Sequence, residues 1–220
     1  MKSQVRGGTR WKRFAVVMVP SVAATAAIGV GLAQGALAAS FSISGQEFKV
    51  TADSLVGNDF VQYGSVDGGK DLAGKDFAAP VAVSGFSEAW ITNMCQSVVT
   101  PNVPFVGDVT LVLKAGTAGA GDDAKKVYAK NIYLDVSSLK TDAEFGNIDI
   151  GVAAGNLAKA PGKPGIQPGT EAKANPYGFA QRADTAKLSK VQQTAWATTA
   201  GTFKLPDLDL SLHRGKAECF

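Results

Sequence analysis

Beyond residue 40 the chain alternates between apolar and polar positions. Phe48, Val50 and Ala52 interleave with Lys49, Thr51 and Asp53, and Val109, Leu111 and Leu113 with Thr110, Val112 and Lys114. Leu208, Leu210 and Leu212 face one way while Asp209, Ser211 and His213 face the other. A period of two marks a pleated strand, whose successive side chains point to opposite faces. The same reading predicts strands over Phe60–Tyr63, Val81–Ile91, Val127–Val136, Phe145–Val152, Phe179–Val191 and Trp196–Leu205. Asp67-Gly68-Gly69 and Gly116–Asp123 read as turns or longer loops between them. No segment after residue 40 sustains an amphipathic helix of three turns. The predicted fold class is therefore all-β and antiparallel, either a sandwich or one large curved, solenoid-like sheet.

Two further patterns refine this picture. Val50–Leu55 and Leu134–Leu139 resemble each other, with a looser echo in Arg182–Leu188, as repeated strand units or coincidence among strand-forming residues would give. Residues 160–178 hold Pro161, Pro164, Pro168 and Pro176 beside Gly162, Gly165, Gly169 and Gly178. Each proline lacks the amide that a ladder needs, so this stretch is expected as a long surface loop. It lies inside one domain spanning residues 40–220, because the tail that follows is too short for a core of its own.

Residues 1–39 read differently. Lys2, Arg6, Arg10, Lys12 and Arg13 precede an uncharged run from Phe14 to Ala39, which ends in Ala36-Leu37-Ala38. Cations, an apolar stretch and a small-x-small exit are the parts of an export signal. Cleavage is expected at Ala38 or Ala39. The alternative is a retained membrane anchor through residues 14–35, since about 20 residues at about 1.5 Å each span a hydrocarbon layer of about 30 Å. Ala23, Ala27, Gly31 and Gly35, four apart, would then let two such helices approach closely. Either outcome places the body outside the cytosol, in the extracellular space or on the outer face of the cytoplasmic membrane.

The formal charge of +3 comes from this leader. Five of the 22 basic residues precede Glu47, the first acidic one, leaving 17 to face 19 acidic residues. The body carries no basic stripe, so nucleic acid is not an expected partner. One histidine and two cysteines are too few for a histidine-cluster, zinc-ribbon or iron–sulfur site, and no metal or cofactor is expected. In an oxidising compartment the pair Cys95 and Cys219 reads as a disulfide. A catalytic thiol would have to recruit His213, the sole imidazole.

Hydrolase chemistry finds little support. Ser87 lies in Gly85-Phe86-Ser87-Glu88-Ala89, where a nucleophile elbow would need glycine in place of Ala89. Any Ser-His-Asp arrangement must use His213, expected as an exposed strand residue. The carboxylate pairs Asp122 with Asp123, Asp207 with Asp209, and Asp67 with Asp71 are expected as solvated turn charges. The small and apolar residues of Gln193–Thr202 would suit a groove for an acyl chain or a sterol.

Several segments carry a resemblance. The basic leader, Ile91–Val99 around Cys95, Phe145–Gly151, Gln193–Pro206 around Trp196, and the ending Glu218-Cys219-Phe220 are similar to an actinobacterial family of exported proteins of unknown function, whose members are often labelled cholesterol esterase. The resemblance implies an envelope or secreted location and a filamentous, spore-forming source. It carries over no catalytic residue. The expected function is that of an exported or membrane-anchored cell-envelope β-domain that binds a lipid or a small membrane protein. The alternatives are an esterase acting on sterol or lipid esters and a self-associating surface protein.

Overall fold

Strand periodicity governs the architecture of the computed structural model, which describes residues 43–117 and 122–220. The leader, with its Ala38 and Ala39 exit and the apolar stretch 14–35, lies outside the described residues, among which no helix is long and apolar enough to cross a membrane. Nine strands follow in chain order: β1 (Ile43–Ser44), β2 (Phe48–Lys70), β3 (Asp76–Thr92), β4 (Met94–Val103), β5 (Gly107–Ala115), β6 (Val127–Gly146), β7 (Asp149–Ala153), β8 (Phe179–Lys204) and β9 (Asp209–Arg214). They form a single curved sheet, antiparallel apart from the two-residue pairing of β1 with β2. Of the two all-β arrangements expected, the one large curved sheet is the observed one.

The sheet closes on itself. β2 pairs with β3, β3 with β6, β6 with β8, and β8 returns to β2 along Phe48–Tyr63. This ring of four long strands is extended by β4, β5 and β9 on one side and by β7 on the other. Strands of ordinary length, about five or six residues, would not need internal bends. Here β2 and β8 run for 23 and 26 residues and must curve. Asp59, Asn131 and Lys190 adopt left-handed backbone in mid-strand, with φ of 53°, 50° and 54°. Register shifts in the β6–β8 ladder, beside Val136 and between Lys140 and Asp142, add bends of the same kind.

Several expected boundaries move. Phe48–Asp53 and Phe60–Tyr63 are parts of one strand, as are Phe179–Val191 and, up to Lys204, Trp196–Leu205. Asp67-Gly68-Gly69 is not a turn but lies inside β2; the hairpin turn comes at Asp71–Lys75. There the Asp71 carboxylate accepts the amides of Ala73 and Lys75, at 2.9 and 2.8 Å, and Gly74 supplies φ of +79°. β4 was not foreseen by alternation at all.

The sheet buries apolar side chains on both faces. Phe60, Phe86, Ile91, Ile132, Leu134 and Leu188 belong to a cluster enclosed by the ring. Val61, Tyr63, Val81, Val83 and Tyr133 form a second cluster on the outer face, covered by Leu157 after β7 and by Ile166 and Ala174 of the proline-rich loop that follows. The consecutive residues Phe60 and Val61 feed opposite clusters, as pleating requires. Inside the ring, Gly57 stands opposite Ala89 and Ala186, and the space left by these small residues holds the buried Phe86 ring. A Cβ on Gly57 would collide with that ring. Gly57→Val is expected to destabilise the protein by about 2 kcal/mol through overpacking, a loss read from the urea midpoint.

Candidate functional site

A row of cavities runs through the inner cluster. The outermost, about 290 Å³, is lined by Ile43, Gln46, Phe48, Val98, Trp196 and Thr198 among others. Gln96 and Thr198 also border a second, smaller cavity of about 30 Å³, lined by Val50, Ile91, Met94 and Val191 among others. Leu55, Leu134 and Gln193 in turn border both this small cavity and a third, of about 110 Å³, walled by Phe60, Phe86, Phe145 and Leu188. The lining of the row is mainly apolar, with Gln96, Gln193 and Thr198 among eight polar side chains that interrupt it. Part of the segment expected to form a groove, Gln193–Thr202, does line it: Gln193, Trp196, Ala197 and Thr198 all contribute.

The outer cluster contains the principal electrostatic feature. Asp67 on β2 and Asp135 on β6 are only 5% and 4% exposed. They share a hydrogen bond, and that requires a proton on one of them. One oxygen of each, Asp67 Oδ2 and Asp135 Oδ1, finds no partner among the described residues. Burial, then the neighbouring Asp67 charge, pushes Asp135 up to about 7, while Lys173 opposes the shift. Burial also raises Asp67, against the pull of Lys173 and of the Asp135 hydrogen bond. The pair therefore holds one proton between its two carboxyls at neutral pH, with Asp135 the more strongly raised member. The expectation that Asp67 is a solvated turn charge paired with Asp71 is corrected: burial beneath the loop removes it from water.

The same loop is fastened at several points. The Gln167 amide donates to the Tyr63 hydroxyl at 2.8 Å, and its side chain donates to Thr199 Oγ1 at 3.3 Å. Burial pushes the Tyr63 phenol up to about 12, so it stays neutral. Ser65 donates to the Lys173 carbonyl at 3.4 Å. Arg182 donates to the Asn156 carbonyl at 2.8 Å and pairs with Asp149 at 2.9 Å. Lys159 reaches Asp184 at 2.6 Å and Lys163 reaches Asp59 at 2.8 Å. Lys173→Met is expected to destabilise the fold more at pH 8 than at pH 5, because it removes the cation facing a carboxyl pair that ionises further as pH rises. Urea midpoints at the two pH values check this.

Two hydroxyl contacts bear on hydrolysis. Ser87 donates to Asp59 Oδ2 at 2.6 Å, and Lys163 binds the same oxygen. Burial raises the Asp59 carboxyl, but the hydrogen bonds from Lys163 and Ser87 outweigh it and leave the group below its usual range. A carboxylate of that kind is a poor base for a serine. On β9, Ser211 Oγ lies 3.0 Å from His213 Nε2, both solvent-facing. Neither residue lines any of the three cavities above. Cys95 and Cys219 are disulfide-bonded, with Cα atoms 6.0 Å apart, so neither thiol is available as a nucleophile.

The bridge anchors a tail that crosses β4 and β5. Thr110 donates to the Gly215 carbonyl at 2.6 Å and accepts the Ala217 amide at 3.0 Å, while Ser97 accepts the Cys219 amide at 3.0 Å. A model of a family of unknown function, DUF6230, matches residues 44–220, nearly the whole of this described body. The chain belongs to the DUF6230 family. The match spans the ring, the loop over the carboxyl pair and the bridged tail, so these DUF6230 features form one unit. No curated protein and no solved structure matches the chain.

Proposed function

We propose that this DUF6230 member is an exported envelope domain that holds a single acyl chain. The observation carrying the reading is the row of cavities, whose lining is mainly apolar and is interrupted by Ser44, Gln46, Gln62, Ser84, Gln96, Thr141, Gln193 and Thr198. Three small cavities set side by side suit a flexible hydrocarbon chain, which can bend to follow them, better than a rigid fused-ring sterol. The Cys95–Cys219 bridge and the sequence pattern of residues 1–39 support a location beyond the cytosol. A membrane lipid or a lipid-bearing small membrane protein is the partner this reading favours.

The test is retention of palmitate by the full chain as the host processes it, read by native mass spectrometry. Wild type is expected to carry one fatty acid. Thr198→Trp, which puts a large side chain where the outer and the smallest cavity share a wall, is expected to weaken binding by about tenfold, or 1.4 kcal/mol. Failure of wild type to retain any acyl chain would overturn the reading. The esterase alternative rests on the Ser211–His213 contact alone. Release of fatty acid from an ester, abolished by His213→Ala, would favour it.

A further inference from the structure

Strand β9 ends the sheet, and its outer edge has no partner strand among the described residues. Leu208, Leu210 and Leu212 are 49%, 56% and 69% exposed on one face. The register partners of Leu210 and Leu212 in β5, Leu113 and Leu111, are half-buried, Leu113 against the inner cluster, so the exposed apolar strip is that of β9 itself. Edges of this sort are blunted by short length, charged side chains, a proline, a bulge or an inward charge; β9 has only its six-residue length and the polar side chains of Asp209, His213 and Arg214. Asp209–Arg214 contains no proline and pairs with β5 without a register shift.

We infer that β9 is a self-docking edge, pairing antiparallel with β9 of a second copy about a two-fold axis at Ser211. The register follows from hydrogen-bond geometry. In an antiparallel pair both members of each opposed couple turn their amides and carbonyls toward, or both away from, the partner. A strand meeting its own copy must therefore pair odd positions with odd and even with even. Centring on Ser211 is the allowed register that uses 208–214 symmetrically. It sets Leu210 opposite Leu212 of the second copy, twice, on the apolar face. On the other face it sets Asp209 opposite His213 of the second copy, twice, joining a carboxylate to the chain's one imidazole. Centring on Leu210 keeps leucine opposite leucine but sets Asp209 against Ser211, and centring on Leu212 sets Leu210 against Arg214; of the three, only the Ser211 register pairs the leucines and also joins Asp209 to His213. Two-fold closure limits the assembly to a dimer instead of a fibre. This inference is independent of the acyl-chain reading, because β9 lines none of those cavities.

The experiment uses the full chain as the host processes it, at micromolar concentration. Sedimentation is expected to give twice the protomer mass for wild type and the single mass for the double variant Leu210→Lys, Leu212→Lys. Ser211→Cys places two thiols opposite each other, with Cβ atoms about 5 Å apart. Mild oxidation is then expected to give a covalent dimer on a non-reducing gel. Leu208→Cys, whose opposite residue is Arg214, is expected to stay single under the same oxidation. Wild type sedimenting as one protomer would overturn the inference. So would a Ser211→Cys protein that cross-links no faster than Leu208→Cys, since any dimer would then use another surface.

Discussion

Replacing both Cys95 and Cys219 with serine is expected to lower the thermal midpoint by roughly 10–20 °C. The bridge joins positions 124 residues apart, and the chain-entropy model assigns a loop of that length about 5 kcal/mol. At about 2–4 °C per kcal/mol for a domain of this size, the shift follows. The folded state has its own stake in the bridge. Ser97 and Thr110 are buried polar residues, and part of their hydrogen bonding comes from the tail that Cys219 holds in place. Calorimetry measures the global loss, and amide exchange at Ala217 and Cys219 in reduced protein measures local release. An unchanged midpoint would show that the tail adds nothing to stability.

Asp135→Asn is expected to stabilise the protein at pH 8 and leave it nearly unchanged at pH 4. In the folded chain Asp135 keeps its proton up to a pH of about 7, against an ordinary value of 3.8. The folded state thus binds a proton that the unfolded state has already released between those values. Stability from this group is full below about pH 4 and falls as pH rises through 7, by up to about 4 kcal/mol. An asparagine amide donates to Asp67 at every pH, removing the fall. Urea midpoints for both proteins at pH 4, 6 and 8 read the difference. A wild-type midpoint that does not decline over that range would refute the shared proton. Asp59 and Asp184, both held below the usual carboxylate range, act in the opposite direction and lose their stabilising effect in acid.

The fold class was legible because period two survives in most strands, and the bridge because only two cysteines exist. Other features were hidden by particular causes. Met94–Val103 lacks clean alternation and contains Pro101 and a left-handed Asn102, so β4 gave no pattern to read. Gly68-Gly69 suggested a turn, yet a Cβ at Gly69 would strike the Ile43 carbonyl, so this glycine admits β1 instead of reversing the chain. In β5 the smaller or more polar row, Thr110 and Val112, is the buried one, because the bridged tail covers that side. Leu208, Leu210 and Leu212 gave the strand but not its exposure, which depends on β9 being last in the sheet. The Asp67–Asp135 pair had no local signal. Each partner sits on a different strand, and spacing along a sequence does not encode contacts between distant strands.

Closure of the ring has a kinetic consequence. The seam sets Phe48 opposite Ala195, Val50 opposite Gln193 and Tyr63 opposite Ala180. An emerging chain can zip its β2–β3 hairpin early, but the seam must wait until residue 195 is available. Contacts of such long range are slow to form, and until they do the inner faces of β2 and β6 stay wet and open to wrong partners. Holdase chaperones that bind the incomplete sheet are therefore expected to raise the yield of native molecules more than foldases that accelerate local turns.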